Sequence, residues 1–376
     1  MTTTAGAGLE GVVVAETAIG DVRGAEGFFH YRQHSAVELA ERRTFEDVWY
    51  LMVHGELPDA TTSAAFERHV GSLRRLPPLT EQELARLAPH GTPLEVLRSI
   101  VSVLGAELEW APSMDVTAEE LTSQALRLAS VVPTVVAAAH RARTGRSPVE
   151  PRDDLGHAAN LLWMITGVEP SPAQVRALEQ YLILTIDHGF NASTFTARVI
   201  TSTGADLASA IVGAIGALSG PLHGGAPSRA LEMLDQVQGP DDAERWVRQL
   251  VADGGRVMGF GHRVYSTDDP RSVLLRRVAQ DLGGERVAAA LDVESAVVRT
   301  LAELKPGREL YTNVEFYAGV VMEACGVPRE LFTPTFAASR TVGWSAHVLE
   351  QAAANRLIRP SAAYVGPPAP QPVPAA

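Results

Sequence analysis

Residues 219–227 read Ser-Gly-Pro-Leu-His-Gly-Gly-Ala-Pro and follow an apolar stretch from Leu207 to Leu218. Proline lacks an amide hydrogen and clashes with the preceding helical turn, so the Gly-Pro pair ends a helix here. The break places one histidine, His223, between glycines, which let the backbone approach a ligand closely. The pattern predicts two helices joined by a break that is either a simple turn or part of a binding site.

On both sides of this break, most of the chain consists of segments with apolar residues at helical spacing, separated by short loops. Apolar residues recur at helical spacing after Thr44, a predicted N-cap residue, and Gly55 ends that segment. Pro133 is expected to kink or split the helix that contains it. The predicted helices cover residues 45–54, 80–88, 93–105, 117–143, 153–166, 172–187, 192–203, 206–219, 226–237, 241–253, 270–282, 286–304, 313–325 and 328–353.

Strand patterns are confined to the N-terminal region. Leu9 to Thr17 and Gly27 to Tyr31 carry β-branched and aromatic residues between glycines, which predicts a small strand pair. The tail after Val365 is rich in proline and is expected to be extended and disordered. The sequence therefore predicts an all-α protein with a minor β-hairpin.

Composition excludes several classes of protein. The 376 residues are 46% apolar and 20% charged, which is typical of a globular chain of about two to three domains. A net charge of −12 argues against nucleic acid as a partner, although small anions stay open. The stretch from Leu207 to Leu218 is too short for a membrane span, which needs about 20 residues. With one cysteine, Cys325, and no leader-like N-terminus, we expect a cytoplasmic protein.

Three further segments combine titratable residues with glycines or helix ends, namely 187–194, 258–271 and 313–317. Taken singly, each has a structural explanation. His188 could satisfy the last carbonyls of a helix, and Glu315 and isolated arginines could face solvent. Gly259 and Gly261 lack the spacing of a dinucleotide or nucleoside triphosphate loop.

Taken together and in order, these motifs resemble the citrate synthase family, over about residues 8–366. The N-terminal stretches 8–13, 31–32 and 55–58 are also similar to that family. The motifs that carry the resemblance are Gly-Pro-Leu-His-Gly-Gly-Ala at 220–226, Gly-Phe-Gly-His-Arg-Val-Tyr at 259–265 with Asp-Pro-Arg at 269–271, Asn-Val-Glu-Phe-Tyr at 313–317, and Arg-Thr-Val-Gly-Trp-Ser-Ala-His at 340–347 with Ile-Arg-Pro at 358–360.

The resemblance implies an acyltransferase of the tricarboxylic acid cycle that condenses acetyl-CoA with oxaloacetate and hydrolyses the thioester to citrate and CoA. A thioester methyl is a weak acid, so its deprotonation requires stabilisation of the enolate oxygen as the proton leaves. By the family pattern, Glu315 takes the methyl proton and His223 donates a hydrogen bond to the thioester oxygen. His262 is expected to polarise the ketone of oxaloacetate.

The remaining roles implied by the resemblance concern binding. His188, Arg271, Arg340 and Arg359 are expected to hold oxaloacetate, because arginine donates paired hydrogen bonds to carboxylates. Arg359 would reach across from the partner subunit of a homodimer. The loop from Arg256 to Arg263 would bind CoA, with Arg263, Gly259 and Gly261 as its contacts. No cofactor and no metal are implied, since acetyl-CoA is a substrate.

Three positions depart from the family pattern. Glu315 replaces the usual aspartate, and its extra methylene changes reach more than pKa. Gly189 replaces a common glutamate after the Asp-His pair and would loosen that helix end. Ser266 replaces a common Lys or Arg and would weaken CoA binding.

The resemblance also implies a large domain of residues 1–224 and 327–376, the segment 365–376 being the tail, and a small domain of residues 225–326. His223 then lies at the hinge, and closure of the domains would assemble the site and exclude water.

Three alternatives stay open from the sequence alone. The first is 2-methylcitrate synthesis from propionyl-CoA, because one methylene changes binding in an apolar pocket by only about 1–3 kcal/mol. The second is a sensor of acyl-CoA or dicarboxylate that has lost turnover through Glu315 and Ser266. The third, a metal site at His188, His223, His262 and Glu315, lacks ligand spacing.

Overall fold

The structure, a computed structural model, describes residues 6–374 apart from 10, 225, 238, 262–264, 266, 308 and 309, and at 7 and 226–230 it describes the backbone alone. Helices dominate the described residues, as predicted, and the one sheet among them is small. The α-helices are α1 (Ala36–Arg42), α2 (Phe45–His54), α3 (Ala60–Ser72), α4 (Pro78–Leu87), α5 (Pro93–Glu107), α6 (Ala118–Arg143), α7 (His157–Thr166), α8 (Pro172–Thr185), α9 (Ala192–Ser202), α10 (Leu207–Leu218), α11 (Ala226–Gln236), α12 (Pro240–Ala252), α13 (Pro270–Leu282), α14 (Glu285–Leu304), α15 (Val314–Ala324) and α16 (Phe332–Ala353).

The N-terminal sheet differs from the prediction. Its strands are β1 (Gly20–Arg23), β2 (Phe28–Tyr31) and β3 (His34–Ser35), in antiparallel order with Gly20 opposite Tyr31. The predicted strand from Leu9 to Thr17 is wrong, because the valines at 12–14 are exposed and pair with no strand. β-branched residues favour a strand when their side chains pack against a neighbouring surface. The valines of this segment have no such surface, so their composition alone does not produce a strand.

Side-chain caps set where most helices begin. The Thr44 hydroxyl accepts a hydrogen bond from the Asp47 amide, as predicted, and Asn191 caps α9 through the Thr194 amide. Thr92, Thr117 and Ser171 form reciprocal capping boxes with the third helical residue. These caps satisfy amides that a helix start leaves without partners.

Three helices differ from the sequence prediction, and one of them is α1, whose seven residues are absent from the predicted ranges. Helix α6 is continuous through Pro133, so the predicted split does not occur. Its residues from Ala129 to His140 are buried, and this packing outweighs the cost of an internal proline, which is about 3 kcal/mol. Helix α3 was not predicted, because only Phe66, Val70 and Gly71 of its thirteen residues are buried and its apolar period is weak.

The core lies where the long helices meet. Helix α16 packs against α6, α9 and α8, and α10 packs against α5 and α9. Helices α11 to α15 pack mainly on one another, and α13 and α15 also contact α8. Helix α8 thus contacts α16 on one side and α13 and α15 on the other. A cleft lies between α8, α15 and α16.

One helix among the described residues, α6, is long and apolar enough to cross a membrane, but 72% of its apolar window is buried inside the protein. The burial identifies it as a core helix rather than a lipid-facing one.

The residues after α16 form no helix or strand in the described part of the tail, and Val365 and Val373 are more than 90% exposed. The sequence prediction of an extended tail agrees with this arrangement.

Candidate active site

A cavity of about 470 Å³ opens in the cleft between α8, α15 and α16. It brings together seven of the residues singled out from the sequence, which are His188, His223, Gly259, Gly261, Arg271, Glu315 and Arg340. Arg359 is exposed on the segment after α16 and does not line the cavity of its own chain. His262, Arg263 and Ser266 lie outside the described residues.

His188 lies in the turn between α8 and α9. Helix α8 ends at Thr185, two residues earlier than predicted, and Gly189 adopts a left-handed conformation with φ of 63°. The Gly189 amide donates to an Asp187 carboxylate oxygen at 3.1 Å, so this glycine gives the turn a defined shape. The His188 Nε2 atom is 3.0 Å from the Tyr265 hydroxyl, which fixes the imidazole at the cavity wall.

His223 lies in the tight turn after α10. A side chain at Gly224 would place its Cβ 2.4 Å from the Leu218 carbonyl oxygen, so the close approach that requires glycine is to the protein itself. The Thr333 hydroxyl donates to the Gly224 carbonyl at 2.8 Å and holds the turn against α16. This packing directs His223 into the cavity.

The His223 ring is held by Ser193. Its Nε2 atom lies 2.8 Å from the Ser193 hydroxyl, which accepts a hydrogen bond from Trp344 Nε1 at 3.1 Å and lies 2.8 Å from Asn191 Oδ1. The serine has one hydrogen to donate. If it donates to His223 Nε2, the hydrogen of the neutral imidazole is on Nδ1 and can be donated to another group. If it donates to Asn191, the imidazole hydrogen is on Nε2.

Burial lowers the pKa of His223 to about 4, and the positive charge of Arg340 contributes in the same direction. The imidazole is therefore neutral at neutral pH. A neutral ring donates one hydrogen bond without carrying a charge.

Arg271 is fixed by a buried carboxylate. Asp269 caps α13 through the Arg271 amide at 3.0 Å and accepts from two guanidinium nitrogens at 3.0 and 2.8 Å. Burial acts to lower the pKa of Arg271, but the charge and the hydrogen bonds of Asp269, with smaller contributions from Tyr265 and Tyr31, together outweigh it and the pKa is raised. Both side chains are almost completely buried, so Arg271 is a permanent, oriented cation.

Arg340 is the second buried cation at the cavity. Its Nε donates to the Thr185 carbonyl at 2.8 Å, and its guanidinium lies 4.5 Å from the centre of the Phe336 ring. Burial lowers its pKa, while the charge of Asp187 opposes that shift. Two guanidinium groups in one cavity form a binding site suited to a ligand with more than one carboxylate.

Glu315 lies in the first turn of α15, where four hydrogen bonds set the position of the helix. Asn313 caps the helix through the Glu315 amide at 3.1 Å, and Asp269 accepts from the Val314 amide at 3.0 Å. The Asn313 amide donates to the Gly259 carbonyl at 2.9 Å, and its side chain donates to the Gly261 carbonyl at 2.9 Å. The glycine loop and the glutamate are therefore held side by side.

Burial raises the pKa of Glu315 to about 7, although the positive charge of Arg271 opposes the shift and Asp269 adds to it. A carboxyl group with a pKa near neutrality can both accept and release a proton at neutral pH. Perturbed carboxyl groups in a cleft are frequent at functional sites.

The arrangement combines a proton acceptor, a neutral hydrogen-bond donor and two fixed cations around one cavity. This set can bind a dianion and abstract a proton from carbon while the developing negative charge is stabilised. Among the described residues, no three His, Cys, Asp or Glu side chains gather as a metal site. The predicted absence of a metal stays a prediction, because His262, one of the four residues of the metal alternative, lies outside those residues.

Four residues that hold this site in place were not identified as site residues from the sequence. Asp269 was seen only as part of a helix start, and Ser193 only as part of a polar segment. Trp344 and Tyr265 belong to the family motifs, but their contacts to Ser193 and His188 arise from distant parts of the chain. The signal available for Asp269 was its place two residues before an arginine at a helix N-cap.

Comparison with known proteins places the chain among related sequences over nearly its whole length. Residues 8–361 match the family model described as citrate synthase, C-terminal domain. The chain is 41% identical over 364 residues to a citrate synthase of Haloferax volcanii, which covers 96% of this chain and 95% of that one. It is 40% identical over 360 residues to a 2-methylcitrate synthase of Mycobacterium tuberculosis, with coverage of 96% and 90%.

A solved structure supports the same relationship. It is the ternary complex of carboxymethyl coenzyme A and oxaloacetate with citrate synthase from the thermophilic archaeon Thermoplasma acidophilum. The two chains superpose with a TM-score of 0.90 at 27% identity, over 98% of this chain and 97% of that one.

Proposed function

Because this chain belongs to the citrate synthase family, we propose that it joins the methyl carbon of acetyl-CoA to the ketone of oxaloacetate and hydrolyses the resulting thioester to citrate and CoA. One observation carries the proposal. A carboxyl group with a raised pKa, Glu315, shares a cavity with the neutral His223 and with two buried arginines. The archaeal relative in complex with oxaloacetate and a CoA derivative supports this pair of ligands.

The first chemical step removes a proton from the acyl methyl. The Glu315 carboxylate accepts that proton, while the His223 imidazole donates a hydrogen bond to the thioester oxygen as negative charge develops there. This role requires the arrangement in which Ser193 donates to His223 Nε2, so that the Nδ1 hydrogen is the donor to the substrate.

The second step attacks the ketone of oxaloacetate. Arg271 and Arg340 bind its two carboxylates, and His188 helps to hold it, in keeping with the position of all three residues at the cavity. His262 hydrogen-bonds the ketone oxygen in this proposal, and Arg263 with Gly259 and Gly261 contacts CoA. No cofactor takes part, since both small molecules are substrates.

The order of events follows from the domain division. Residues 225–326 form the small domain in this proposal, and His223 lies at the hinge. Closure after oxaloacetate binds brings Glu315 and His223 to the acyl group and excludes water that would hydrolyse the thioester early. Equal reactivity toward acetyl-CoA with and without oxaloacetate would contradict this order.

The active unit in the proposal is a cytoplasmic homodimer that serves the tricarboxylic acid cycle. Arg359 supplies the remaining cation from the partner subunit, and its exposure outside the cavity of its own chain supports this arrangement.

A second candidate function is 2-methylcitrate synthesis from propionyl-CoA, and the mycobacterial relative at 40% identity favours it as the alternative. A sensor without turnover is disfavoured, because the base, His223 and both cavity arginines are present together.

The experiment is an assay of free CoA thiol with oxaloacetate and either acetyl-CoA or propionyl-CoA. We expect thiol release with both and a higher kcat/KM for acetyl-CoA. A higher kcat/KM for propionyl-CoA would establish the alternative, and ligand binding without thiol release would indicate a sensor.

A further inference from the structure

Tyr181, near the C-terminal end of α8, has a completely buried side chain and lines the same cavity as Glu315. Its hydroxyl has no hydrogen-bond partner in the part of the chain that the structure describes. Burying a hydroxyl without a partner costs free energy of folding, so such groups call for an explanation.

Two other buried tyrosines, neither of which lines the cavity, show the contrast. The Tyr31 hydroxyl donates to the Ile183 carbonyl at 2.8 Å, and the Tyr317 hydroxyl donates to the Glu294 carboxylate. Both of these hydroxyls have a protein partner, whereas Tyr181 lines the cavity and has none among the described residues, so a partner for it has to be sought at the cavity.

The group that lacks a donor in the same cavity is the Glu315 carboxylate. Among the described residues, no side chain or amide donates a hydrogen bond to its oxygens. Asn313 and Asp269 lie close by, but they accept hydrogen bonds from the backbone amides of α15 and do not contact the carboxylate. Helix α8 packs against α15, and Ala318, almost one turn after Glu315, also lines the cavity. Tyr181 and Glu315 thus belong to facing helices.

The charges around this pair come from every neighbouring element. They are Asp269 and Arg271 at the start of α13, Arg340 on α16, Arg256 in the loop after α12, and His188 and His223 in the turns before α9 and α11. Burial raises the pKa of Tyr181, with a smaller opposing effect of Arg340, so the phenol keeps its proton and can only serve a carboxylate as a donor.

We propose that Tyr181 is a positioning residue for Glu315, an inference that rests on the function proposed above. With both ligands bound, the Tyr181 hydroxyl donates to one carboxylate oxygen and turns the other toward the acyl methyl. The methyl proton passes to that second oxygen, and Tyr181 keeps its own proton. The extra methylene of glutamate, compared with aspartate, gives the carboxylate the reach to meet a donor on α8.

The test is Tyr181→Phe, assayed by thiol release with acetyl-CoA and oxaloacetate. We expect kcat to fall by about tenfold to a hundredfold, as for loss of a hydrogen bond to a charged group, with little change in either KM. The acid limb of the kcat profile moves to higher pH, because the ionised carboxylate loses a donor. The Tm stays the same or rises, since phenylalanine removes only an unpaired hydroxyl.

Two further variants sharpen the test. In a Glu315→Asp background the shorter carboxylate does not meet Tyr181, so the effect of Tyr181→Phe on kcat becomes smaller. As a matched control, Tyr317→Phe removes a hydroxyl that already has a partner, and we expect it to lower the Tm and leave the acid limb in place.

Three results would overturn the inference. They are kinetics of Tyr181→Phe equal to the unmodified enzyme, a rise in the KM for oxaloacetate with kcat unchanged, and an acid limb that moves equally in Tyr317→Phe. Thiol release by the unmodified protein and by Glu315→Gln distinguishes a failure of the proposed function from a failure of the role of Tyr181. If that variant remains active, Glu315 is not the base and the role of Tyr181 is wrong with it, whereas the absence of CoA release by the unmodified protein would show that the proposed function itself is wrong. If Glu315→Gln is inactive while Tyr181→Phe is unaffected, only the role of Tyr181 is wrong.

Discussion

At the scale of single residues, Glu315 and His223 carry opposite shifts in pKa for the same physical reason. Burial disfavours the charged form of each, which raises the pKa of the carboxyl to about 7 and lowers that of the imidazole to about 4. From about pH 7 upward the imidazole is neutral and a large fraction of the carboxyl group is ionised. The cavity thereby keeps a neutral donor beside a group that can take up a proton.

This pair predicts the pH dependence of kcat/KM for acetyl-CoA. The base must be ionised to accept a proton, and its ionised fraction falls about tenfold for each pH unit below a pKa of about 7. We expect log kcat/KM to rise with unit slope up to about pH 7. A profile that stays flat down to pH 5.5 would show that the base is already ionised there.

A second residue-scale prediction concerns His157, which is buried and stacked on Phe45 at a ring distance of 4.7 Å. Burial lowers its pKa to about 3, and Arg74 contributes. The unfolded chain therefore binds more protons between about pH 6.5 and 3. The free energy of unfolding due to this residue falls as the pH falls, by up to about 1.4 kcal/mol per pH unit.

Chemical denaturation of the unmodified protein and His157→Phe between pH 4 and 7 measures this effect. The neighbouring Glu46, whose pKa burial raises to about 7, titrates in the opposite sense but is common to both proteins. We expect the difference in stability between them to change steeply with pH. If the free energies of unfolding of the two proteins change in parallel with pH, protonation of His157 does not destabilise the folded state.

At the scale of elements, Asp269 joins the starts of two helices. It holds the Arg271 guanidinium on α13 and the Val314 amide of α15, the residue before Glu315. The cation that binds substrate and the base therefore share one buried carboxylate, and neither helix start can shift alone.

Asp269→Asn keeps the size of this side chain but removes its charge. Breaking a buried ion pair costs about 3–5 kcal/mol, and displacement of about 1 Å at a reacting group costs about a hundredfold in rate. We expect a lower Tm and kcat/KM reduced by about a hundredfold or more. Asp241→Asn, at an exposed position in the first turn of α12, is the control and should change neither by much. Equal behaviour of the two variants would exclude the joining role.

Gly343 marks the closest crossing of α16 over the end of α8. A Cβ there would lie 2.0 Å from the Ile186 carbonyl oxygen, next to the Asp187 and His188 turn. Helix propensity alone would favour alanine over glycine by about 1 kcal/mol. Because the contact is to backbone, we expect Gly343→Ala to destabilise the protein by about 2 kcal/mol or more and to lower activity.

Gly216 in α10 is the matched case, since a Cβ there meets nothing within 4 Å. Gly216→Ala should raise the Tm, and thermal melts of both variants check the sign. A Gly343→Ala variant as stable as Gly216→Ala would show that α16 does not pack this closely on α8.

The helices were predictable where local signals agree. Thr44 and Asn191 are caps with amide partners, and the apolar periods after them are strong. The sequence could not show that the valines at 12–14 lack a partner strand, or that burial would carry α6 through Pro133. Both depend on contacts with distant parts of the chain rather than on local preference.

At the scale of the whole molecule, the site depends on helices that are far apart in sequence. The motifs predicted that His188, His223, Arg271, Glu315 and Arg340 act together, and one cavity contains all five. Tyr181 could not be recognised in this way, because a tyrosine in the apolar segment of α8 is typical of a core residue. Its unpaired hydroxyl becomes visible only when α8 faces α15.

The proposed exchange of Arg359 between subunits is tested by mixing two inactive variants. Glu315→Gln and Arg359→Ala each disable every site of their own homodimers in this proposal. In a mixed dimer, the subunit that retains Glu315 receives an intact Arg359 from its partner, so unfolding and refolding an equal mixture should restore about a quarter of the sites. If the mixture stays inactive, Arg359 does not act across the interface.

In the proposed reaction, the carboxylate at position 315 accepts the proton from the acyl methyl. The direct measurement is deuterium exchange into the methyl of acetyl-CoA by the Glu315→Gln variant, followed in heavy water with oxaloacetate bound and alongside CoA release. Glutamine preserves the size of the side chain but cannot accept the proton, so we expect both exchange and release to fall by about a thousandfold or more while oxaloacetate still binds. Exchange at a rate within about tenfold of the unmodified enzyme would show that another group is the base.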